Sequence, residues 1–392
     1  MDSTRKRSSR SRSRAPSKAR RLVPALLLFA ILGGGALYWH MNREPADISR
    51  INESLDLFSS LPANAWTRIS AGNDGGWSRQ GHAGMAYDSN RGSLLIFGSD
   101  SHGEDWDNTI HEFMPALREW RTLGRIAGAD TYAVNEDGQA VAGTQSPQPW
   151  AMHTYDGVEY DPKLDALIVA STIDHTPVKL AGVGKQRTWI YERPKDQWRV
   201  LDPKGAQVPG LFSPALAYDE LRDTFVLCKH GVWELGPTRS GWHRVSPCQH
   251  CDLHQTLVYD SRRGQLVLFG AYKASPEIWA YRPGQLPETG GEWTRLGSKA
   301  CPPMTTTPVA YDRRADRFIL IEKPPGASSE QEYRTYAYDA EAGACAEIAA
   351  SAPATGHMNF MMIWHRDLEV SLLVTGDAKS DVDVWAFRSG GE

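Results

Sequence analysis

One pattern recurs along the chain and leaves few folds open to it: an apolar strand ending in Tyr-Asp, a tight polar turn, then a second apolar strand. It is written "MAYDSNRGSLLIFG", "VEYDPKLDALIVA", "LAYDELRDTFVLC", "LVYDSRRGQLVLFG" and "VAYDRRADRFILI", with a looser sixth copy, "MIWHRDLEVSLLVTG". Each copy is followed by a strand with two bulky residues two apart: His111/Phe113, Trp189/Tyr191, Trp233/Leu235, Trp279/Tyr281, Tyr336/Tyr338 and Trp385/Phe387. Alternation places each pair on one face of its strand. A further strand begins at Trp120, Trp198, Trp242, Trp293 or Cys345, with a longer turn only before Trp293. Self-similarity of this kind marks a repeat architecture. Four antiparallel strands per repeat, with tight turns after the first and third, form the unit of a β-propeller blade.

The two ends of the array fit each other. The sixth repeat stops at "DVWAFRSGGE" without a fourth strand, whereas "NAWTRISAGNDGG" opens with a strand, Trp66 to Ser70, that no partner precedes. Six repeats need six outer strands, so this one is expected to complete the last blade and remove the open gap of an unclosed array.

The order "GHAGMAYDSNRGSLLIFG", then "DNTIHEFMPALREWRTL", resembles the kelch repeat, and the resemblance covers residues 64 to 390. It implies an all-β, six-bladed kelch-type propeller, similar to the galactose oxidase central domain, closed by an N-terminal outer strand. The family's Gly-Gly after the second strand is here reduced to Gly98-Ser99 or Gly270-Ala271, or lost. The Trp and Tyr columns read as packing between blades. The family includes a sugar oxidase with a Cys–Tyr radical copper site and a sialic acid mutarotase, but no segment lets those residues be carried over position by position. Gly-x-Ser-x-Gly and Walker-type loops are absent as well.

The first 63 residues are of another kind. Residues 1–21 carry nine Lys or Arg against the single acid Asp2, in a Ser/Arg-rich tract with nothing to bury. Residues 22–42 hold no Asp, Glu, Lys or Arg, and "LVPALLLFAILGGGALYW" is long enough to cross roughly 30 Å of hydrocarbon as a single helix. The basic flank places the tail in the cytoplasm and the remainder of the chain on the other side, periplasmic or extracellular. A cleavable signal peptide cut near Gly34-Gly35-Ala36 is the rival reading; the apolar run continues past that point to Tyr38-Trp39, which favours a retained signal-anchor. Residues 43–63 read as a linker with a short amphipathic helix striped by Ile48, Ile51, Leu55 and Phe58. The stripe is expected to pack on the domain that follows rather than on the membrane surface. Residues 22–392 carry 34 basic and 46 acidic side chains, net −12, which argues against nucleic acid as a partner.

Strand alternation also assigns a face for binding. The turns after strands one and three are short, and the loops after strands two and four hold the length variation, including residues 125–152 and 171–187. Long loops on a rigid scaffold are where binding residues concentrate. His82, His153 and His254 begin innermost strands and are expected to ring the channel mouth on that face. His82, His153, Asp107 and Asp174 are the candidate acid/base residues, and together with neighbouring carboxylates they could hold a divalent metal. No metal-ligand spacing supports such a site, and no cofactor is expected. Trp77, Trp106, Trp150, Tyr155, His102 and His175 are the candidates for ligand contact.

Cysteine supplies a second constellation. Cys228, Cys248, Cys251 and Cys301 fall near the long-loop face of neighbouring blades, which in an exported protein points to two disulfides, with three pairings open. Zinc held by these thiols with His250 or His254 is the alternative. Cys345 starts an outer strand and is expected to lie out of reach at the opposite end, as a buried thiol. The reading as a whole is a membrane-anchored binding or scaffolding module, leaning away from catalysis, for a glycan or a cell-envelope protein. The alternative is a carbohydrate-active enzyme of oxidase, epimerase/mutarotase or lyase type, with its site on the same face.

Overall fold

A computed structural model describes residues 45–70, 81–99, 105–144, 146–170, 188–201, 208, 212–271, 277–284, 290–324, 326–327, 332–349, 351–356, 358–376 and 382–390. The tail and spanning segment expected over residues 1–42 lie outside them, as do Trp77, His102, Asp174 and His175. Among the described residues no helix is long and apolar enough to cross a membrane.

Six four-stranded antiparallel sheets form the blades. Blade 1 is β2 (Gly84–Asp88), β3 (Ser93–Phe97), β4 (Ile110–Met114) and β5 (Glu119–Leu123). A two-stranded hairpin, β6 (Ala133–Val134) and β7 (Ala140–Val141), lies in the loop to blade 2, which is β8 (Val158–Asp161), β9 (Ala166–Val169), β10 (Trp189–Glu192) and β11 (Gln197–Val200). Blade 3 is β12 (Ala215–Asp219), β13 (Thr224–Cys228), β14 (Val232–Leu235) and β15 (Trp242–Ser246). Blade 4 is β16 (Thr256–Asp260), β17 (Gln265–Phe269), β18 (Ile278–Arg282) and β19 (Glu292–Leu296). Blade 5 is β20 (Val309–Asp312), β21 (Arg317–Glu322), β22 (Arg334–Asp339) and β23 (Ala344–Ala349). Blade 6 takes β24 (Met362–His365), β25 (Val370–Thr375) and β26 (Asp383–Phe387) from the end of the chain and β1 (Trp66–Ser70) from its beginning. The expected closure is thus met, with Trp66 opposite Phe387 and Arg68 opposite Trp385.

The sequence pattern follows from the packing. Second strands such as β3, β13 and β17 are buried at every position, because a neighbouring blade covers each face, and they read as unbroken apolar runs. The Trp and Tyr columns lie between blades: Trp189 and Tyr191 pack with Leu95, Phe97 and Ile110 of blade 1. The recurring Asp nucleates its turn. Asp88 Oδ1 accepts from the N–H groups of Asn90 and Arg91, and Asp161, Asp219, Asp260 and Asp312 repeat the bond, so the side chain satisfies backbone donors that the turn would otherwise strand.

Buried charge ties blades together. Arg193, 5 % exposed, bonds Asp88 of blade 1 and lies 2.9 Å from Glu112 Oε1, both acids being fully buried. Arg239 joins Asp161 of blade 2 to Asp223 of blade 3 at 2.6 and 2.7 Å.

Helix α1 (Pro45–Ser59) precedes the ring. Its stripe differs by one step from the expected one: Ile51, Ser54 and Phe58 are buried and Leu55 is 45 % exposed. At 100° per residue those three span an arc of about 60°, and Leu55 lies about 40° outside it. Phe58 packs with Leu61, Ile69 and the core of blades 1 and 6. Arg388 donates to the carbonyls of Phe58 and Ser59 at 2.6 and 3.0 Å, capping the helix where a cation complements the dipole.

Candidate functional site

The centre of the ring is closed at one end by the segment His153–Gly157, which enters β8. Tyr155 is 1 % exposed, and its ring centroid lies 5.4 Å from His82, 5.3 Å from Phe212, 6.0 Å from His254 and 5.9 Å from Phe360. Those partners precede β2, β12, β16 and β24, so a single ring meets four blades besides its own and marks the axis. The backbone is stitched in place: Thr154 and Tyr155 donate to the His82 carbonyl, and Thr154 Oγ1 donates to Phe97 O and accepts from Gly84 N. Gly84 permits this approach, since a Cβ there would lie 2.3 Å from the Tyr155 carbonyl oxygen.

Beneath this plug lies a cavity of about 450 Å³, lined by the six innermost strands, within the roughly 300–1,000 Å³ range of small-ligand sites. Two acids face it. Asp156 reaches across the axis, and its Oδ2 accepts from the Leu257 amide of blade 4 at 2.8 Å. Glu159, on β8, accepts from the Tyr160 amide at 3.2 Å. Both residues are half-buried at the lumen, and among the described residues no cation pairs with either. Burial pushes the Glu159 carboxyl up to about 7. Burial, and then the proximity of Glu159, push Asp156 well above the usual carboxylate range against the Leu257 hydrogen bond. Carboxyls raised in this way and without a paired cation cluster at functional sites.

The Tyr-Asp column supplies the cavity's other end. Tyr87, Tyr160, Tyr218, Tyr259, Tyr311 and Trp364, one per blade, line the cavity as an aromatic collar. The hydroxyls of Tyr160, Tyr218 and Tyr311 donate to Asp165, Asp223 and Asp316, which fixes the rings. Beyond the collar, Arg313 of blade 5 meets Glu220 of blade 3 at 2.8 Å across the mouth on the short-turn face.

The residues expected from the sequence are dispersed differently. His82 and His153 do come together at the axis, but as buried rings stacked 4.1 Å apart, so they pack against each other and against Tyr155. Asp107 lies elsewhere, on His111 at 2.8 Å; burial pushes its carboxyl up, and the bonds from His111 and Thr109 outweigh this and hold it at about 2. Trp150 is fully buried and donates to Val141 O at 2.7 Å; with Tyr132, Ala142 and the half-buried Trp106 it builds the small core of the 125–152 loop. That loop is a folded appendage, and Trp150 and Tyr155 present no surface to a ligand. His250 is stacked on Trp279 at 3.4 Å.

The cysteine expectation needs correction. Cys301 pairs with Cys345, their Cα atoms 4.8 Å apart. The expected separation treated every strand as parallel to the axis. Each sheet twists by about 20–25° per strand, so outer strands run around the rim, and the end of one meets the start of the next. Lys299 N donates to Gly343 O and Cys345 N to Lys299 O, as Gly124 N after β5 donates to Asp196 before β11.

Asp156 and Glu159 escaped the sequence reading, although a signal for one was present. At the position of Glu159 the other repeats carry Ala86, Ala217, Val258, Ala310 and Ile363, as the strand registers confirm. One charge in an apolar repeat column marks a lumen-facing exception.

No family model and no curated protein matches the sequence. Among solved structures, a fungal alcohol oxidase of the AA5 family, in complex with copper, superimposes with a TM-score of 0.50 at 10 % identity over 78 % of this chain and 62 % of that one. This chain therefore spans about three fifths of that protein's length. A protein of unknown function from Bacteroides thetaiotaomicron superimposes with a TM-score of 0.46 at 10 % identity, over 82 % of this chain and 75 % of that one. At this identity the oxidase's likeness is one of fold, the six-bladed propeller.

Proposed function

We propose that the protein is a membrane-anchored, extracytoplasmic propeller of kelch type that acts as a binding module. Its ligand site is the axial cavity, and its ligand is a glycan unit bearing an amino group. The carrying observation is the Asp156–Glu159 pair, two carboxyls with which no cation among the described residues pairs. A ligand ammonium meets that need, and hydroxyls serve the remaining lone pairs. Tyr87, Tyr218 and Trp364, the half-buried members of the collar, suit the apolar face of a sugar ring. The uncharged segment 22–42 after its basic flank supports the anchor and the export of the propeller. Scaffolding through the long loops to an envelope protein stays compatible with this reading, because the axial cavity leaves the outer surface free.

Copper, which the fungal oxidase contains, does not fit the axis. His82 and His153 lie face to face, and among the described residues the one group of three close metal-ligand side chains is Cys228, Cys248 and Cys251. A second reading, an epimerase or lyase acting on the same sugars, draws on Glu159: a carboxyl titrating near neutrality serves as general acid and as general base.

The test is a melting series of the full chain in detergent with glucosamine, glucose and glucuronate, with each mixture followed by NMR. Stabilisation by glucosamine alone supports the binding module, and conversion of the sugar supports the second reading. No stabilisation by the amine, or equal stabilisation by all three sugars, contradicts the site.

A further inference from the structure

With Cys301 committed to Cys345, three sulfurs remain in one place. Cys228 ends β13 and is 2 % exposed; Cys248 and Cys251 are half-buried in the loop that follows β15. The three Sγ atoms lie within 4.8 Å of one another. The Cα atoms of Cys251 are 5.6 Å from those of Cys228 and 5.5 Å from those of Cys248. Both separations fall inside the roughly 4.4–6.8 Å that a disulfide spans. Cys251 therefore has two partners in reach, and a sulfur forms only one such bond.

We propose that Cys228, Cys248 and Cys251 are a thiol–disulfide exchange centre, in which one disulfide on Cys251 alternates between two partners and the third sulfur is a reactive thiol. The thiolate of Cys248 attacks Cys251 Sγ, the Cys248–Cys251 bond forms, and the Cys228–Cys251 bond breaks. The electron pair leaves on the Cys228 sulfur, which takes up the proton that Cys248 gave to solvent. Nothing is oxidised or reduced in sum, so no outside reagent is needed.

The surroundings favour this chemistry. Lys229 follows Cys228 and donates to the Asp252 carbonyl at 3.4 Å, which brings a cation to the loop, and cations favour thiolates. His250, stacked on Trp279, and the apolar neighbours Val245, Tyr281 and Trp293 hold the loop against blades 3 and 4, so the sulfurs stay close in either pairing. The two states differ in consequence. Pairing with Cys228 ties the loop to β13, whereas pairing with Cys248 closes a turn within the loop and releases that tether.

The experiment is alkylation of the native full chain with N-ethylmaleimide at pH 8, followed by digestion and mapping of linked and labelled peptides. The expected result is one labelled thiol per chain, with both Cys228–Cys251 and Cys248–Cys251 peptides present after acid quenching. Prolonged labelling should drive the mixture at least 5-fold towards Cys228–Cys251, as the more exposed Cys248 is consumed. Cys248→Ser and Cys228→Ser should each give one pairing and no label, because the two remaining cysteines pair with each other, which separates exchange from misfolding. A single pairing in the native chain under every condition overturns the proposal. So do three free thiols holding one equivalent of zinc or copper.

Discussion

The indole N–H of Trp66, at the start of β1, donates to Thr335 Oγ1 on β22 at 2.8 Å, joining residues 269 positions apart. Trp242 makes the same bond to Thr188 at 2.7 Å within the ring. In both cases the acceptor precedes the first aromatic residue of a third strand, and the donor starts the outer strand of the next blade. The closing strand thus uses the contact of an interior blade junction. Thr335→Val, at a fully buried position, should cost about 1–2 kcal/mol, as should Thr188→Val, because the indole donor is left without a partner. The urea midpoint should fall at unchanged slope.

Arg193 offers a larger effect. Replacing it with Ala removes the cation that Asp88 and Glu112 share, while Arg91 still pairs with Asp88 and Arg121 with Glu112, and should cost about 1.5–3 kcal/mol. Lys195→Ala removes a largely exposed partner of Glu192 and should change stability by less than ~1 kcal/mol. Chemical denaturation of the two variants side by side checks the contrast.

The rim disulfide should be structural. Cys301 and Cys345 close a segment 44 residues long, and Cys345→Ser should cost about 2–4 kcal/mol. The melting temperature should drop, and the loss should be matched by adding a reductant to a variant that lacks only the three-cysteine cluster.

Acid behaviour should carry two opposite signatures. The Glu159 carboxyl titrates near 7 in the folded chain and near 4.5 when unfolded, so the folded state binds more protons between those values. Its contribution to stability therefore falls as pH rises from about 4.5 to about 7, and Glu159→Gln should remove that slope. Asp107 works in the other direction: held at about 2, it stabilises above its unfolded value near 3.8 and loses that contribution as pH falls through about 2. Melting curves from pH 2 to 8 for the wild type, Glu159→Gln and Asp107→Asn separate the two.

The ring was legible because each of its causes is local. The Tyr-Asp turns, the apolar second strands and the lone strand at Trp66 follow from side-chain spacing, and closure follows from counting. The site was less so. His82 and His153 were placed at the axis, but whether rings stack or open to solvent depends on how segment 153–157 crosses the channel, a relation between distant blades. Cys345 was misplaced because twist accumulates over a sheet and appears in no single strand. Glu159 was legible as the odd member of its column; Asp156 was not, since its position lies in a connecting segment where the repeats share no pattern.

The measurement that bears most directly on the axial site is calorimetric titration of glucosamine into the full chain and into its Glu159→Gln variant, at pH 5 and pH 8. Binding should be at least 10-fold tighter at pH 8 than at pH 5 in the wild type, where Glu159 is charged, and the variant should bind weakly with no such dependence. Equal affinity for both proteins at both pH values would contradict the site.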